Sequence, residues 1–180
     1  MGAFAVIPAR GGSKRIPRKN IKLFLGKPII AYSIELAVAS KLFERVLVST
    51  DDDEIAGIAE GYGAEIPFHR SSELSNDQIG DTKVIAHSVN WMQQQGWNVD
   101  AVCCIYSTAP FIQTNDLNSA YDIFQSNKWD FVFAVTEYAY PIQRSFRLLK
   151  KPATLVSSIP SPLITLPTEP IVLSKPQKVP

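Results

Sequence analysis

The sequence predicts an α/β protein with a mainly parallel sheet and helices on both faces, arranged in three layers as α/β/α. Short apolar runs alternate along the chain with longer segments in which apolar residues recur at helical spacing. This alternation is typical of right-handed βαβ units. The first apolar run, at residues 3–7, is continuous and stops at Pro8. A continuous run indicates a strand that is buried on both faces of a parallel sheet.

The other elements are predicted from helical spacing, apolar runs and capping residues. A loop at 8–20 leads to a helix from Pro28, because proline is tolerated in the first turn of a helix. Asp51 is predicted to cap the second helix. The remaining predictions are strands at 45–50, 64–68, 102–106 and 131–136, helices at 53–62 and 82–94, and a helix capped by Thr114 or Asn115 that ends near Ser126.

Composition limits the classes of partner. The chain has 180 residues, of which 46% are hydrophobic, and 18 Lys and Arg against 17 Asp and Glu give a net charge of +1. This balance argues against nucleic acid or an anionic membrane as a partner. The adjacent Cys103 and Cys104 lie in an apolar run, which predicts two small buried side chains without a disulfide. With no apolar stretch of membrane-spanning length, we expect a cytoplasmic protein.

The loop at 8–20 carries the strongest chemical signal. Gly11 and Gly12 leave backbone amides unobstructed, while Arg10, Lys14 and Lys19 add positive charge, and phosphate oxygens bind both kinds of group. The spacing matches neither the P-loop nor the dinucleotide-binding glycine pattern. A solvated basic turn is the alternative. Its position after the first buried strand favours nucleotide binding, because open α/β sheets bind nucleotides at that edge.

Composition changes after Lys150. The last residues, 151–180, hold seven of the 13 prolines, no glycine, no aromatic residue and one acid, Glu169. Proline withholds a backbone donor and favours extended chain, so this segment is not expected to continue the βα pattern. We predict one incomplete domain at 1–149, followed by an irregular, proline-rich segment at 150–180. That segment is either a disordered tail or the result of translation leaving the original frame near residue 150.

Residues 7–21 are similar to the signature of the cytidylyltransferases that activate nine-carbon acidic sugars. Further segments match that family in order, and the resemblance covers residues 1–149. The matching segments are 26–28, 48–52, 63–65, 68–75, 103–111 and 135–144. The last two resemble most the members that act on pseudaminic acid, with the N-acetylneuraminate enzymes more distant. The resemblance implies a Rossmann-like fold of the nucleotide-diphospho-sugar transferase type, which is GT-A-like.

The same resemblance implies an activity. A CMP group would pass from CTP to the anomeric hydroxyl of the sugar acid, with release of pyrophosphate and a requirement for Mg²⁺, in the glycosylation of surface glycans or flagellin. Three alternatives stay open. They are CMP-N-acetylneuraminate synthesis, another nucleotidyl transfer on the same fold (to deoxy-octulosonic acid or a hexose phosphate), and a catalytically inactive module that binds CTP.

Site residues are assigned by their match to the family. Arg10 and Lys19 are the expected catalytic residues, with Lys19 at the α-phosphate, and Gln143 and Arg144 would reach the sugar carboxylate. For Arg70, a surface arginine at the end of a strand is the alternative. The expected nucleotide-binding residues are Ala9, Arg10, Gly11, Gly12, Ser13, Lys14, Lys19, Asn20, Arg70, Ser107 and Thr108, with Asn20 and Arg70 near the cytidine.

Two further features have ordinary structural explanations. The acidic run at 51–54 could bind a metal, but acids at the start of a helix normally cap it and interact with its dipole. His87 is more typical of a packed side chain than of a catalyst. Both alternatives are kept open, with the structural one favoured.

The resemblance also implies features that residues 150–180 do not supply. Family members continue for roughly another half chain, with carboxylates that bind Mg²⁺ and an exchanged element that builds a homodimer. Because the segment offers Glu169 and no aspartate, protein ligands for Mg²⁺ are not identifiable. We expect this chain to bind CTP weakly and to catalyse the transfer slowly or not at all. The homodimer of the family is doubtful for it. We also expect it to expose apolar surface.

Overall fold

The computed structural model describes residues 2–76, 78–126 and 128–135, and the backbone of three later strands. The strands are β1 (Ala3–Pro8), β2 (Leu23–Phe24), β3 (Lys27–Pro28), β4 (Arg45–Ser49), β5 (Ala101–Ile105), β6 (Phe131–Phe133), β7 (Phe146–Leu149), β8 (Thr154–Ser157) and β9 (Ile171–Ser174). The helices are α1 (Ile29–Ser40), α2 (Asp53–Gly61), α3 (Asp81–Gln94) and α4 (Thr114–Gln125). Single 3-10 turns lie at Lys19–Ile21 and Ser72–Leu74.

The main sheet has the strand order β4-β1-β5-β9-β6. β1 pairs in parallel with β4 and with β5, whereas β9 is antiparallel to both of its neighbours, β5 and β6. β6 therefore runs in the same direction as β1, β4 and β5. The sheet is mainly parallel, and the predicted α/β class is confirmed.

Residues of β1 alternate between two cores, one on each face of the sheet. Ala5 and Ile7 pack with residues of α1, α2 and α4, while Phe4 and Val6 pack with residues of α3. All four of these side chains are at most 2% exposed. The continuous apolar run seen in the sequence is explained by this position, because a strand between two helical layers has no solvent face. The three-layer arrangement is confirmed.

Most of the predicted helices are present, with shifted beginnings. α1 begins at Ile29, one residue after Pro28, and α3 begins at Asp81 rather than Thr82. The predicted cap of α2 was wrong: Asp52, not Asp51, accepts the hydrogen bond from the backbone N–H of Ile55. α4 is capped by neither Thr114 nor Asn115. Its cap is Gln113, which forms a reciprocal capping box with Asp116.

Two short segments differ from the prediction. The expected strand at 64–68 is reduced to isolated parallel bridges, Leu47 with Glu65 and Thr50 with His69. Pro67 lies between them and has no backbone donor to extend the ladder. The hairpin of β2 and β3 was not predicted. Its turn residues Leu25 and Gly26 both have positive φ, at 46° and 89°, which is typical of the tight turns that join antiparallel strands.

Residues 150–180 contribute β8 and β9 to the described backbone. β8 pairs with β7 in a separate hairpin, and β9 lies within the main sheet. At these residues the chain forms strands, which differs from the irregular structure predicted there. The rest of the segment lies outside the described residues, and the domain boundary at residue 149 stays a prediction.

Both cysteines are free and buried in β5, as the sequence predicted. Burial raises the pKa of both thiols, to about 12 for Cys104. None of the helices in the described part of the chain has the length and apolar character that a membrane crossing requires. Large apolar side chains are exposed next to the edge strand β6, with Phe133 58% and Val135 62% exposed.

Candidate active site

A cleft of about 760 Å³ opens at the carboxyl ends of β1 and β5. It is lined by eight of the residues that the sequence singled out: Arg10, Ser13, Lys14, Lys19, Asn20, Arg70, Ser107 and Thr108. Ala9, Gly11 and Gly12 belong to the same loop but do not line the cleft, and Ala9 is fully buried. Gln143 and Arg144 lie outside the described residues. The topology thus places the loop and the segment after β5 on one surface, as expected for an open α/β sheet.

The lining of the cleft is strongly cationic. Arg10, Lys14, Arg15, Lys19 and Arg70 all contribute to it. Among the described residues that line the cleft, Asp81 supplies the one carboxylate. A concave surface with this excess of positive charge attracts an anion and raises its local concentration.

Gly11 lies next to Asp51 and Asp52, just before the beginning of α2. Its backbone N–H donates to Asp51 Oδ1 at 2.9 Å, so this amide is used within the protein. The assignment of Gly11 to the nucleotide stays a prediction. A Cβ atom at Gly11 would lie 2.5 Å from Asp52 Oδ2, whereas one at Gly12 would meet no atom within 4 Å. Close packing against α2 explains the first glycine but not the second.

Asn20 joins the loop to the end of β5. Its Nδ2 donates to the backbone oxygen of Arg10 at 2.8 Å, and its Oδ1 accepts from Ser107 Oγ at 2.8 Å. Asn20 and Ser107 are each 4% exposed. Both side chains line the cleft, but these hydrogen bonds show that they also fix the path of the loop relative to the sheet.

Arg70 is a buried cation at the wall of the cleft. Its side chain is 3% exposed, its Nε donates to Ser75 Oγ at 3.2 Å, and its Nη2 lies 3.8 Å from Asp51 Oδ1. Burial lowers the pKa of Arg70, the Asp51 carboxylate opposes that shift, and the Arg10 guanidinium adds to it. Nη2 is buried and has no hydrogen-bond partner among the described residues. The alternative of a surface arginine is excluded, and the guanidinium retains a donor for an acceptor on a ligand.

Tyr106 and Asp81 are cleft residues that the sequence analysis missed. The Tyr106 hydroxyl donates to Asp81 Oδ2 at 2.8 Å. Burial, together with this hydrogen bond, raises the pKa of Tyr106, so the phenol stays a donor at neutral pH. The position of Tyr106 directly before Ser107 is a partial indication that it lies at the cleft. Nothing in the sequence indicates that it pairs with Asp81, 25 positions earlier. Other lining residues that were missed are Pro8, Arg15, Ile16, Leu74, Asn76, Ile79 and Val84.

The acidic run and His87 have structural roles in the described residues. Asp52 caps α2 and accepts two hydrogen bonds from the Arg18 guanidinium, which hold the pKa of this carboxyl at about 2. Asp53 lies 3.3 Å from His69 at the surface. The His87 ring packs edge-on against Phe68, with the ring centroids 4.7 Å apart. These contacts agree with the structural interpretation that the sequence analysis favoured for both features.

The described carboxylates do not make up a magnesium site. Mg²⁺ takes oxygen ligands in nearly octahedral geometry, and nucleotide sites usually supply one or two carboxylates together with phosphate oxygens. Within residues 2–76, 78–126 and 128–135, no group of three or more His, Cys, Asp or Glu side chains could hold a metal ion. The Asp81 carboxylate in the cleft already accepts from Tyr106. The described residues therefore form no site with three or more such protein ligands, and the Mg²⁺ requirement implied by the resemblance stays a prediction.

Comparison with known proteins identifies the family. A family model described as cytidylyltransferase matches residues 4–156. Pseudaminic acid cytidylyltransferase of Campylobacter jejuni is 50% identical over 148 residues, which cover 82% of this chain and 64% of that protein. N-acylneuraminate cytidylyltransferase of Escherichia coli is 34% identical over 140 residues, covering 77% of this chain and 32% of that protein. This chain thus spans slightly less than two thirds of the first relative and about a third of the second.

A solved structure shows the same fold at low sequence identity. It is a CMP:2-keto-3-deoxy-manno-octonic acid synthetase complexed with CTP, with a TM-score of 0.65 and 20% identity over 98% of this chain and 75% of that chain. The family match covers the strand, the basic loop and the segment after β5 that together form the cleft. On this evidence the chain belongs to the cytidylyltransferase family.

Proposed function

We propose that this protein transfers CMP from CTP to a nine-carbon acidic sugar, with pseudaminic acid preferred, and releases pyrophosphate. Family membership supports nucleotidyl transfer with CTP. The preference for pseudaminic acid rests on 50% identity to a relative named for that sugar, against 34% to one named for N-acylneuraminate. This identity does not extend over the whole length of either relative, so activity and acceptor are both proposals.

One observation carries the proposal: the cations of the loop and the buried Arg70 meet in the same cleft. A nucleoside triphosphate has a polyanionic end and a base, and the two ends need different partners. Lysine and arginine side chains at an open surface suit the phosphates. A buried guanidinium with an unpartnered donor suits the carbonyl oxygen and ring nitrogen at one edge of cytosine.

The reaction needs positioning and neutralisation of charge more than covalent chemistry. The sugar hydroxyl attacks the α-phosphorus, the bond to the bridging oxygen breaks, and negative charge grows on the departing pyrophosphate. We assign Lys19 to the α-phosphate oxygens and Arg10, with Ser13 and Lys14, to the β- and γ-phosphates. Removing one such donor typically lowers the rate about 10²- to 10³-fold.

The contact between Asn20 and cytidine that the resemblance implies stays a prediction, and the structure supports a second task for this residue. Its amide group is already bonded to the backbone of Arg10 and to Ser107. We propose that it holds Arg10 at the correct distance from the end of β5, and that any contact with cytidine is additional. Preorganised groups of this kind reduce the ordering that a ligand would otherwise have to impose.

Gln143 and Arg144, the residues assigned to the acceptor, lie outside the described residues. The assignment of Gln143 and Arg144 to the sugar carboxylate stays a prediction, as do a homodimer and a cytoplasmic location. The segment from Tyr106 to Thr108 lines the cleft at the end of β5.

Calorimetry with nucleotides is the first test. CTP should bind with a measurable dissociation constant, and UTP should bind at least tenfold more weakly, since its base presents N–H where cytosine presents an acceptor. Lys19→Met should weaken CTP binding. Lys22→Met, which removes an exposed charge outside the cleft, is the matched control and should not. Equal binding of CTP and UTP, or equal effects of the two substitutions, would contradict the proposal.

A pyrophosphate-release assay tests the chemical step. CTP should be consumed when pseudaminic acid is added, more slowly with N-acetylneuraminic acid, and not with CTP alone. Tight CTP binding without release for either sugar would instead support a catalytically inactive CTP-binding module. Pyrophosphate release with deoxy-octulosonic acid or a hexose phosphate would instead show nucleotidyl transfer to a different class of acceptor.

A further inference from the structure

The loop at 8–20 concentrates positive charge, which nearby carboxylates can balance. Arg10, Lys14, Arg15, Arg18 and Lys19 lie within ten residues of one another. Cations this close repel one another, which favours an open loop when no anion is bound. Two successive carboxylates that follow β4, Asp51 and Asp52, contact this loop, and neither of them lines the cleft.

Asp51 joins the beginning of the loop to Arg70. Its Oδ1 accepts from the backbone N–H of Gly11 at 2.9 Å and lies 3.8 Å from Arg70 Nη2. One carboxylate oxygen thus contacts both the loop expected at the phosphates and the cation expected at the base. Its side chain is 23% exposed, so water screens this contact only in part.

Asp52 holds the end of the loop. The Arg18 guanidinium donates to both of its carboxylate oxygens, with Nη2 at 2.8 Å from Oδ1. Arg18 has φ of 54°, an uncommon conformation for a residue with a side chain. Such a conformation costs free energy and persists when the surrounding contacts fix it. The ion pair with Asp52 is a contact of this kind.

We propose that Asp51 and Asp52 are positioning residues that hold the two ends of the loop and align it with Arg70 for nucleotide binding. This inference rests on the function proposed above. It goes beyond the capping role of the acidic run, which concerns Asp52 and the helix alone. Both carboxylates act on the ligand through other residues, since neither of them lines the cleft.

Three substitutions along the acidic run separate positioning from capping. Asp51→Asn and Asp52→Asn keep an acceptor oxygen but remove the charge, and Asp53→Asn is the matched control. The Asp53 side chain is 99% exposed and pairs with His69 at the surface. Dissociation constants for CTP and for cytidine, measured by calorimetry alongside thermal unfolding, give the readout.

The ratio of the two affinities is the decisive quantity. In the wild type, the triphosphate should strengthen binding relative to cytidine. Asp51→Asn and Asp52→Asn should each reduce that gain about tenfold, because the loop no longer presents its cations in one arrangement. Asp53→Asn should leave it unchanged. If either of the first two substitutions gives the same ratio as the control, the inference is overturned for that residue.

Arg18→Gln removes the same ion pair, together with the contact between Arg18 and Glu54, while Asp52 keeps its cap on α2. This variant should reproduce the loss seen with Asp52→Asn, whereas an effect through the helix cap alone would leave its CTP affinity at the wild-type value and refute the positioning role. A wild type that binds CTP no better than cytidine contradicts the proposed function itself. If the wild type binds CTP more tightly than cytidine and the variants show the same ratio of affinities, only the positioning inference is contradicted.

Discussion

A methyl group added at residue 11 tests how the loop packs against α2. An alanine Cβ at this position would lie 2.5 Å from Asp52 Oδ2 and 2.9 Å from Asp52 Cβ. Rotation of the carboxylate could relieve the first contact but not the second. The carboxylate is also held by Arg18 and by the backbone N–H of Ile55. The substitution must therefore move either the loop or the first turn of the helix.

The cost follows from general magnitudes. Overpacking in a well-packed region costs about 1–3 kcal/mol, and a displaced helix cap costs about 1 kcal/mol. We expect Gly11→Ala to lower the free energy of unfolding by about 2 kcal/mol, measured by urea denaturation. For a chain of this size that corresponds to a fall in Tm of about 4–8 °C.

Gly12→Ala is the matched control, because a Cβ there would meet no atom within 4 Å. Its effect should stay within about 0.5 kcal/mol of the wild type. Both substitutions add the same methyl group to neighbouring loop residues, so differences in the unfolded chain largely cancel. If Gly11→Ala were as stable as Gly12→Ala, the close approach to Asp52 would be refuted as the reason for the glycine.

Four more outcomes can be measured. The pKa of Asp52 lies below its ordinary value of 3.8, at about 2, so its ion pair stabilises the fold above pH 4 and is lost as pH falls towards 2. The stability difference between wild type and Asp52→Asn should shrink by about 1 kcal/mol between pH 6 and pH 2.5, a figure reduced because Arg18 is partly exposed. Arg70→Lys should weaken CTP and cytidine binding alike, about tenfold, since it keeps the charge but loses the planar donors. Ser107→Ala should cost about 1–3 kcal/mol in urea denaturation, because it removes the hydrogen bond to Asn20 Oδ1 at a buried position. EDTA should abolish pyrophosphate release, and excess Mg²⁺ should restore it.

Each of these outcomes has a result that contradicts it. A pH-independent difference between wild type and Asp52→Asn would show that the ion pair does not stabilise the fold. Unchanged cytidine affinity in Arg70→Lys would contradict the proposed contact between Arg70 and the base. A neutral Ser107→Ala would mean that water replaces the hydroxyl. Full activity in EDTA would contradict the metal requirement.

The arrangement of the fold could be predicted because hydrophobic patterning determines it. A strand buried on both faces leaves a continuous apolar run, and α1 shows buried Ile30, Ile34 and Ala37 at helical spacing. The loop at 8–20 could be assigned to the candidate site because it combines glycines and cations and directly follows the first buried strand. These are local patterns read against general topology.

Caps and pairings could not be predicted because tertiary geometry decides them. Three consecutive aspartates lie at the beginning of α2, and the sequence alone does not show which of them caps it. Asp52 does so because its extended backbone, with φ of −139° and ψ of 121°, brings Oδ1 to 3.0 Å from the N–H of Ile55. Likewise, no pattern signals that Asp51 accepts from Gly11, 40 positions earlier, or that Tyr106 meets Asp81.

The reactivity of the two cysteines of β5 can report how often the main sheet opens. Cys103 and Cys104 lie in a strand that pairs with β1 on one side and β9 on the other. Burial keeps both thiols protonated, and only a thiolate that reaches solvent reacts with an alkylating reagent. The rate of alkylation therefore measures how often local unfolding exposes the centre of the sheet to solvent. A nucleotide that closes the cleft above β5 should slow that rate in proportion to its occupancy.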